Sequence, residues 1–264
     1  MNLAPIRKKQ AGFTLIELMV SVSIFVVICG AMFGLLGMTQ KRSQTEAQVL
    51  DAFQEARLGL DQIVRDVSDA GYPPQNHFSV VPPAANYAQS PVAWDPGYAA
   101  NAPCVVGTAG GGTCATPGDF DVVFEEDYDG TGVVRWIRYQ LQGTVLWRGV
   151  VPKGVNPTAS FAPPGVLVPY IQNVMNNATP AQIAQIKALY PAMFPGGNPV
   201  PIFNYTFDSI LVGAAGCAAA GNSPCNVRDV QVTLIVQAPQ RDAETRALRL
   251  VELNGRGHRI NPNR

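Results

Sequence analysis

Apolar and polar positions divide the chain into a helix-forming N-terminal part and a longer remainder of strands and loops. From Leu18 to Met38 the residues are apolar or small, with no proline and no charge. At 1.5 Å per helical residue this run is long enough to cross a hydrocarbon core of roughly 30 Å. The pattern then changes. Between residues 39 and 69, Leu50, Phe53, Leu60, Val64 and Val67 recur at helical spacings, and Arg57 interrupts the seam. This predicts an amphipathic helix with one apolar face, continuous with the apolar run. Ala70-Gly71-Tyr72-Pro73-Pro74 ends it. The seam covers too few heptads for a free coiled coil, so the outer half of the helix is expected to dock on a globular domain.

Beyond residue 70 the periodicity shortens. Residues 71–118 are rich in Pro, Ala, Gly and Asn and read as loop. Strands are predicted at 121–125 and 133–141, on either side of an Asp-Gly turn over 127–132, and again at 144–150. Residues 151–203 form a second Pro-rich insertion with a short helix over Pro180–Leu189. Strands resume at 205–211, 227–236 and 246–253, the last alternating through Leu248, Leu250 and Val251. The expected fold class is α+β: one long N-terminal helix packed on an antiparallel sheet carrying two large loop insertions.

Charge sets the orientation. Arg7, Lys8 and Lys9 precede the apolar run and hold the N-terminus in the cytoplasm, which places the bulk of the chain outside. The run exceeds a signal-peptide core, and no small-x-small cleavage site clearly follows it, so an ordinary secretory signal fits poorly. A plain signal anchor fits everything except Glu17. A carboxylate at the edge of a spanning helix costs on the order of 1 to 3 kcal/mol unless paired.

The string Arg7-Lys8-Lys9-Gln10-Ala11-Gly12-Phe13-Thr14-Leu15-Ile16-Glu17 resembles the prepilin leader of type IV pilins and type II secretion pseudopilins. The resemblance covers about the first 40 residues. It implies cleavage by a prepilin peptidase between Gly12 and Phe13, methylation of the new amine of Phe13, and Glu17 at the fifth mature position. Residues 1–12 are then a leader, 13–38 the transmembrane and filament-core helix, 39–70 its amphipathic continuation, and 71–264 a periplasmic or extracellular β-rich domain. Because the apolar run follows the cut, cleavage leaves the anchor intact. Glu17 is expected to meet the Phe13 amine of a neighbouring subunit and so to set its register, since a paired carboxylate in a low-dielectric bundle costs far less than an unpaired one. Gly30 and Gly34 form a GxxxG, and Gly37 follows; they read either as a helix-packing face or as a locally weak stretch.

Lys plus Arg equals Asp plus Glu, so the chain has no basic excess of the kind nucleic-acid binding needs. Four of the five cysteines form two close pairs, Cys104 with Cys114 and Cys217 with Cys225. In an oxidising periplasm each pair is expected to close a short disulfide loop. Zinc is the alternative, but the spacings are not CxxC and no histidine is near. Cys29 lies in the span as a small apolar residue. His77 and His258 are expected in loops, and no HExxH, GxSxG, Walker or GxGxxG pattern stands in its required context, so no enzyme and no cofactor is expected. Asp127 and Asp129, with Glu125 and Glu126 beside them, have the alternation of a calcium loop, against the simpler reading of a solvated turn.

The length, the Asp-Gly hairpin and the Arg65–Tyr72 helix end resemble PilW-like minor pilins in particular, with GspJ-like pseudopilins as second choice. The resemblance implies a minor pilin that primes assembly at the inner membrane and sits at the pilus tip. Its partners would be major and minor pilins, the prepilin peptidase and the inner-membrane assembly platform. The protein would begin in the inner membrane and end in the pilus at the cell surface. A role of the exposed loops 71–118 and 151–203 in binding a surface or ligand is the alternative.

Overall fold

The computed structural model describes residues 12, 14–95, 103–107, 112–209, 217, 220–241 and 249–260. It has the α+β, pilin-like architecture expected: one long helix and antiparallel sheets. Helix α1 runs unbroken from Leu15 to Asp69. The chain divides into two compact units, Met1–Ala47 and Gln48–Arg264, and α1 contributes to both.

In the second unit α1 presents Val49, Ala56, Leu60, Ile63 and Val67 as its buried stripe. The stripe differs from the seam expected from the large residues alone. Leu50 is exposed, and Val64 lies at the border of the stripe. The reason is size. Ala56 and Gly59 let the sheets approach closely, and a Cβ at Gly59 would stand 2.7 Å from Ile171 Cγ1. The helix ends at Gly71, whose φ of +87° is the left-handed conformation that terminates helices at little cost for glycine. Its N–H is taken by the Glu125 carbonyl at 2.8 Å.

Strands β1 (Asp121–Glu126), β2 (Arg135–Gln142), β3 (Val145–Pro152) and β4 (Val168–Ile171) form a four-stranded antiparallel sheet in sequence order. Strands β5 (Phe203–Phe207), β6 (Val227–Gln237) and β7 (Leu250–His258) form a separate three-stranded sheet. The single sheet implied by the strand pattern is therefore two. One core joins them, with Leu60, Ile63 and Val67 of α1 packed among Phe124, Ile137, Leu146 and Leu234. Burying each such side chain stabilises by about 1.5 to 3 kcal/mol.

The insertions are not bare loop. The segment before β1 lays Ala93 over the second face of the four-stranded sheet, beside Val123, Trp136 and Phe161. β1 is consequently buried on both faces, which hides its alternation. The second insertion contains α2 (Pro157–Ser160), β4, and α3 (Pro180–Leu189) at the boundaries expected for its helix. Thr179 and Gln182 cap α3 reciprocally, with Pro180 at its first position. Ile183 and Ile186 then pack on Phe194 and Ile235. Several strand limits shift: β2 begins at Arg135 rather than 133, β3 runs on to Pro152, β5 spans Phe203–Phe207 in place of a strand from 205, and β7 begins at Leu250 and reaches His258. Residues 210 and 211 of the strand expected over 205–211 lie outside the described residues. Of the strand expected over 246–253, residues 246–248 lie outside the described residues.

Candidate functional site

Thr14 precedes the first residue of α1 and accepts a hydrogen bond from the Glu17 N–H through its hydroxyl at 3.4 Å. Glu17 Oε2 in turn accepts from the Thr14 N–H at 3.0 Å and from its hydroxyl at 2.9 Å. This is a capping box, in which two donors left over at the helix start are satisfied reciprocally. Sequence reasoning placed Glu17 opposite an amine and missed this partner, although Thr14-x-x-Glu17 is its usual signature. Gly12 is exposed with open space around it. Arg7, Lys8, Lys9 and Phe13 lie outside the described residues.

From Leu15 to Met38 the apolar side chains face outward; Val27 is 72% and Phe33 73% exposed. Among the described residues, α1 is the one helix long and apolar enough to cross a membrane. Its polar side chains do not break that character. Ser21 and Ser23 return their hydroxyls to the carbonyls of Glu17 and Met19, each at 2.8 Å, so the helix satisfies them internally. Helix α1 is regular through Gly30, Gly34 and Gly37, and a Cβ at any of them would meet nothing within 4 Å. Cys29 is a free thiol.

Cys104 is bonded to Cys114 and Cys217 to Cys225, with Cα separations of 5.1 and 6.1 Å. The tertiary structure adds what the spacing could not: both disulfides pack against buried Trp94 in one cluster. A Val106 N–H to Asn222 carbonyl bond and an Asn222 Nδ2 bond to the Val106 carbonyl, both 2.8 Å, tie the two loops together.

The acidic turn uses its own carboxylates. Asp127 accepts from the Thr131 and Gly132 N–H groups at 3.0 and 2.8 Å, and Asp129 accepts from the Thr131 hydroxyl at 2.7 Å and pairs with Arg135. Glu125 and Glu126 point elsewhere: Glu125 is buried against Lys153, and Glu126 faces the end of α1. Among the described residues no group of three or more His, Cys, Asp or Glu could hold a metal ion. The His77 ring stands edge-on to the rings of Tyr72 and Phe78, with centroids 5.6 and 5.3 Å away. His258 is in β7 rather than a loop.

Two polar clusters escaped sequence reasoning. Between α1 and the four-stranded sheet, the Tyr139 hydroxyl donates to Asp66 Oδ2 at 2.6 Å, and Arg148 reaches both from 2.9 and 3.2 Å. Glu126 lies nearby with Oε2 unpartnered. Burial, then the charges of Asp66 and Asp69, push its carboxyl up to about 9 despite Arg148. On the three-stranded sheet, Asp229 is buried among Thr206, Arg228, Arg256 and His258. Burial alone would raise its carboxyl, but hydrogen bonds from Thr206, Arg256, His258 and Arg228 outweigh it and hold the group well below the usual range. An aspartate inside a helix pattern, Asp66, and one inside a strand pattern, Asp229, gave no signal of the two clusters.

No curated protein and no solved structure matches the chain. Residues 7–33 match the prokaryotic N-terminal methylation motif, a stretch that holds Gly12, the capped Glu17 and most of the outward-facing apolar segment. With an apolar N-terminal helix and antiparallel sheets behind it, that motif supports a membrane-anchored structural subunit of the type IV pilin or pseudopilin kind rather than an enzyme.

Proposed function

We propose that this chain is a minor pilin, made as an inner-membrane prepilin with its N-terminus in the cytoplasm, that acts in type IV pilus assembly and is carried at the tip. The match of residues 7–33 to the methylation motif carries the reading. Prepilin peptidase cuts between Gly12 and Phe13, with Arg7, Lys8 and Lys9 on the cytoplasmic side, and Phe13 receives the methyl group. The segment 13–38 then anchors the subunit and enters the filament core. Residues 39–70 continue that helix into the domain formed by 71–264. Before assembly, Thr14 satisfies one oxygen of the Glu17 carboxylate. In the filament, the N-terminal amine of an adjacent major or minor pilin takes over, and a misregistered neighbour leaves the charge unpaired in a low-dielectric bundle. Heterologous, non-closing contacts of this kind generate a filament. The open faces of Gly30, Gly34 and Gly37 supply the close helix approach.

N-terminal sequencing and intact mass of the protein, from sheared surface filaments and from membranes, test this. A chain beginning at N-methylated Phe13 in the sheared fraction is expected. The same processed chain in membranes alone points to a periplasmic pseudopilus instead, and an uncleaved Met1 start in cells with active prepilin peptidase overturns the reading. Glu17→Gln is expected to be processed normally yet to incorporate poorly.

A further inference from the structure

β7 closes one side of the three-stranded sheet, and its outer edge pairs with no described strand. The ladder with β6 decides which main-chain groups lie on that edge. Ala238 donates its N–H to the Arg249 carbonyl at 2.8 Å, and Arg259 donates to the Arg228 carbonyl at 3.0 Å. Between these two bonds the register runs unbroken from Asp229 opposite His258 to Gln237 opposite Leu250. Bonded and non-bonded pairs alternate in an antiparallel ladder. Val251, Leu253, Gly255 and Gly257 therefore bond β6, and the N–H and C=O groups of Leu250, Glu252, Asn254, Arg256 and His258 point away from the sheet. None of them bonds another described element. An edge nine residues long and free of proline is a ready template for another strand.

The side chains along this edge have a charge order. Glu252, Asn254, Arg256 and His258 share the exposed face, and Gly255 and Gly257 face α1. The cationic end is fixed in place. The Asp229 side chain, 2% exposed, takes Arg256 Nη2 at 2.8 Å, Arg228 Nε at 3.1 Å, and His258 Nδ1. Arg228 reaches it because the register skips from Thr206 opposite Asp229 to Phe207 opposite Val227, leaving Arg228 as the extra residue of a bulge. Bulges re-aim side chains in this way. Arg256 and His258 remain 63% and 66% exposed, so one buried carboxylate positions two permanent cations and an imidazole that still face solvent. Side chains held in advance lose little freedom when a partner arrives.

We propose that the outer edge of β7, which no described strand covers, is a docking strand for an extended acidic segment of a partner polypeptide. The segment adds antiparallel, the slightly stronger ladder. Its carboxylates lie beside His258 and Arg256, a neutral residue beside Asn254 and a basic one beside Glu252, and small or apolar residues alternate on the side of α1. Main-chain bonds supply affinity and the charge order supplies specificity, as in strand addition generally. The inference stands independently of the filament reading.

The test uses the full-length protein in detergent micelles and a labelled, capped heptapeptide of Glu, Val, Glu, Val, Thr, Val and Lys, followed by fluorescence anisotropy. Saturable binding is expected. Arg256→Glu and Asn254→Pro should each weaken it at least tenfold. On the main chain the proline removes only an outward N–H, which an edge strand tolerates. It also removes the Asn254 amide, which accepts from the Thr233 hydroxyl at 2.8 Å and donates to Glu252 at 3.0 Å, so Asn254→Ala is the matched control and should bind like wild type. Methylating the peptide nitrogens that face β7 should do the same without touching the protein, and decides the matter if Asn254→Pro does not fold. No saturation, or binding indifferent to both the proline and the methylated peptide, overturns the proposal. So does a concentration-dependent dimer of the protein that Asn254→Pro abolishes, which makes a second copy the occupant.

Discussion

Gly257→Ala places a single methyl group where β7 crosses α1. A Cβ built at Gly257 collides with the Val67 side chain and stands 3.0 Å from the Val64 carbonyl oxygen. Neither obstacle is the free end of a flexible side chain; one is the root of a β-branched residue, the other is helix backbone. The helix or the strand must move. Overpacking of this kind costs about 1 to 3 kcal/mol, and the rigid obstacle argues for the upper part of that range. Replacing glycine in a strand returns about 0.5 to 1 kcal/mol through the unfolded chain. The net destabilisation is about 2 kcal/mol. For a unit the size of Gln48–Arg264, each kcal/mol lowers the midpoint by about 2 to 4 °C, so Tm should fall by about 4 to 8 °C. Thermal unfolding of the purified full-length protein, followed by far-ultraviolet circular dichroism in one detergent, measures this. Val67→Ala in the same chain should recover part of the loss, giving a double mutant less destabilised than the sum. Gly30→Ala is the control: its Cβ meets open space, and alanine is the better helix former, so it should leave the midpoint unchanged or higher. A Gly257→Ala midpoint within about 1 °C of wild type refutes the close packing of β7 on α1.

Glu126→Gln should remove a pH dependence. The folded state keeps the Glu126 proton up to about 9, whereas the unfolded chain loses it near 4.5. Between those values the unfolded state binds fewer protons, so this group makes stability fall as pH rises, by about 1.4 kcal/mol per pH unit. Wild type and Glu126→Gln should therefore diverge in urea unfolding from pH 5 to 8, with the mutant gaining at the higher pH; parallel curves would refute it. Tyr139→Phe removes the hydroxyl that donates to Asp66 and accepts from Arg148. Leaving a buried carboxylate short of a donor should cost about 1 to 3 kcal/mol, read as a lower urea midpoint at unchanged slope.

The N-terminal part was legible because its signals are local. The apolar run, its Glu17 and the Pro-Pro stop each act within a few residues, and α1 ends at Asp69 as the pattern predicts. The capped helix over Pro180–Leu189 was legible for the same reason. Strand limits were less so. β1 carries Val122, Val123 and Phe124 buried on alternate faces because an insertion covers its second side, and the period-two signal vanishes. The buried stripe of α1 was located in part: Leu60 and Val67 are buried as expected and Leu50 is not, because Ala56 and Gly59 count for little in a hydrophobic pattern, yet their smallness decides which face meets the sheets.

By itself, the amino-acid sequence determined the apolar N-terminal helix, its methylation motif, the helix that follows, the α+β class and the cysteine pairs, since each depends on residues close together along the chain. Only the tertiary structure decided that the strands form two sheets and that the two disulfides share Trp94. It also set Asp66 beside Tyr139 and Arg148, and gave β7 an outer edge that pairs with no described strand, beside cations organised by Asp229. Those features join residues tens of positions apart, so their energies arise from packing and burial, and no local spacing encodes them.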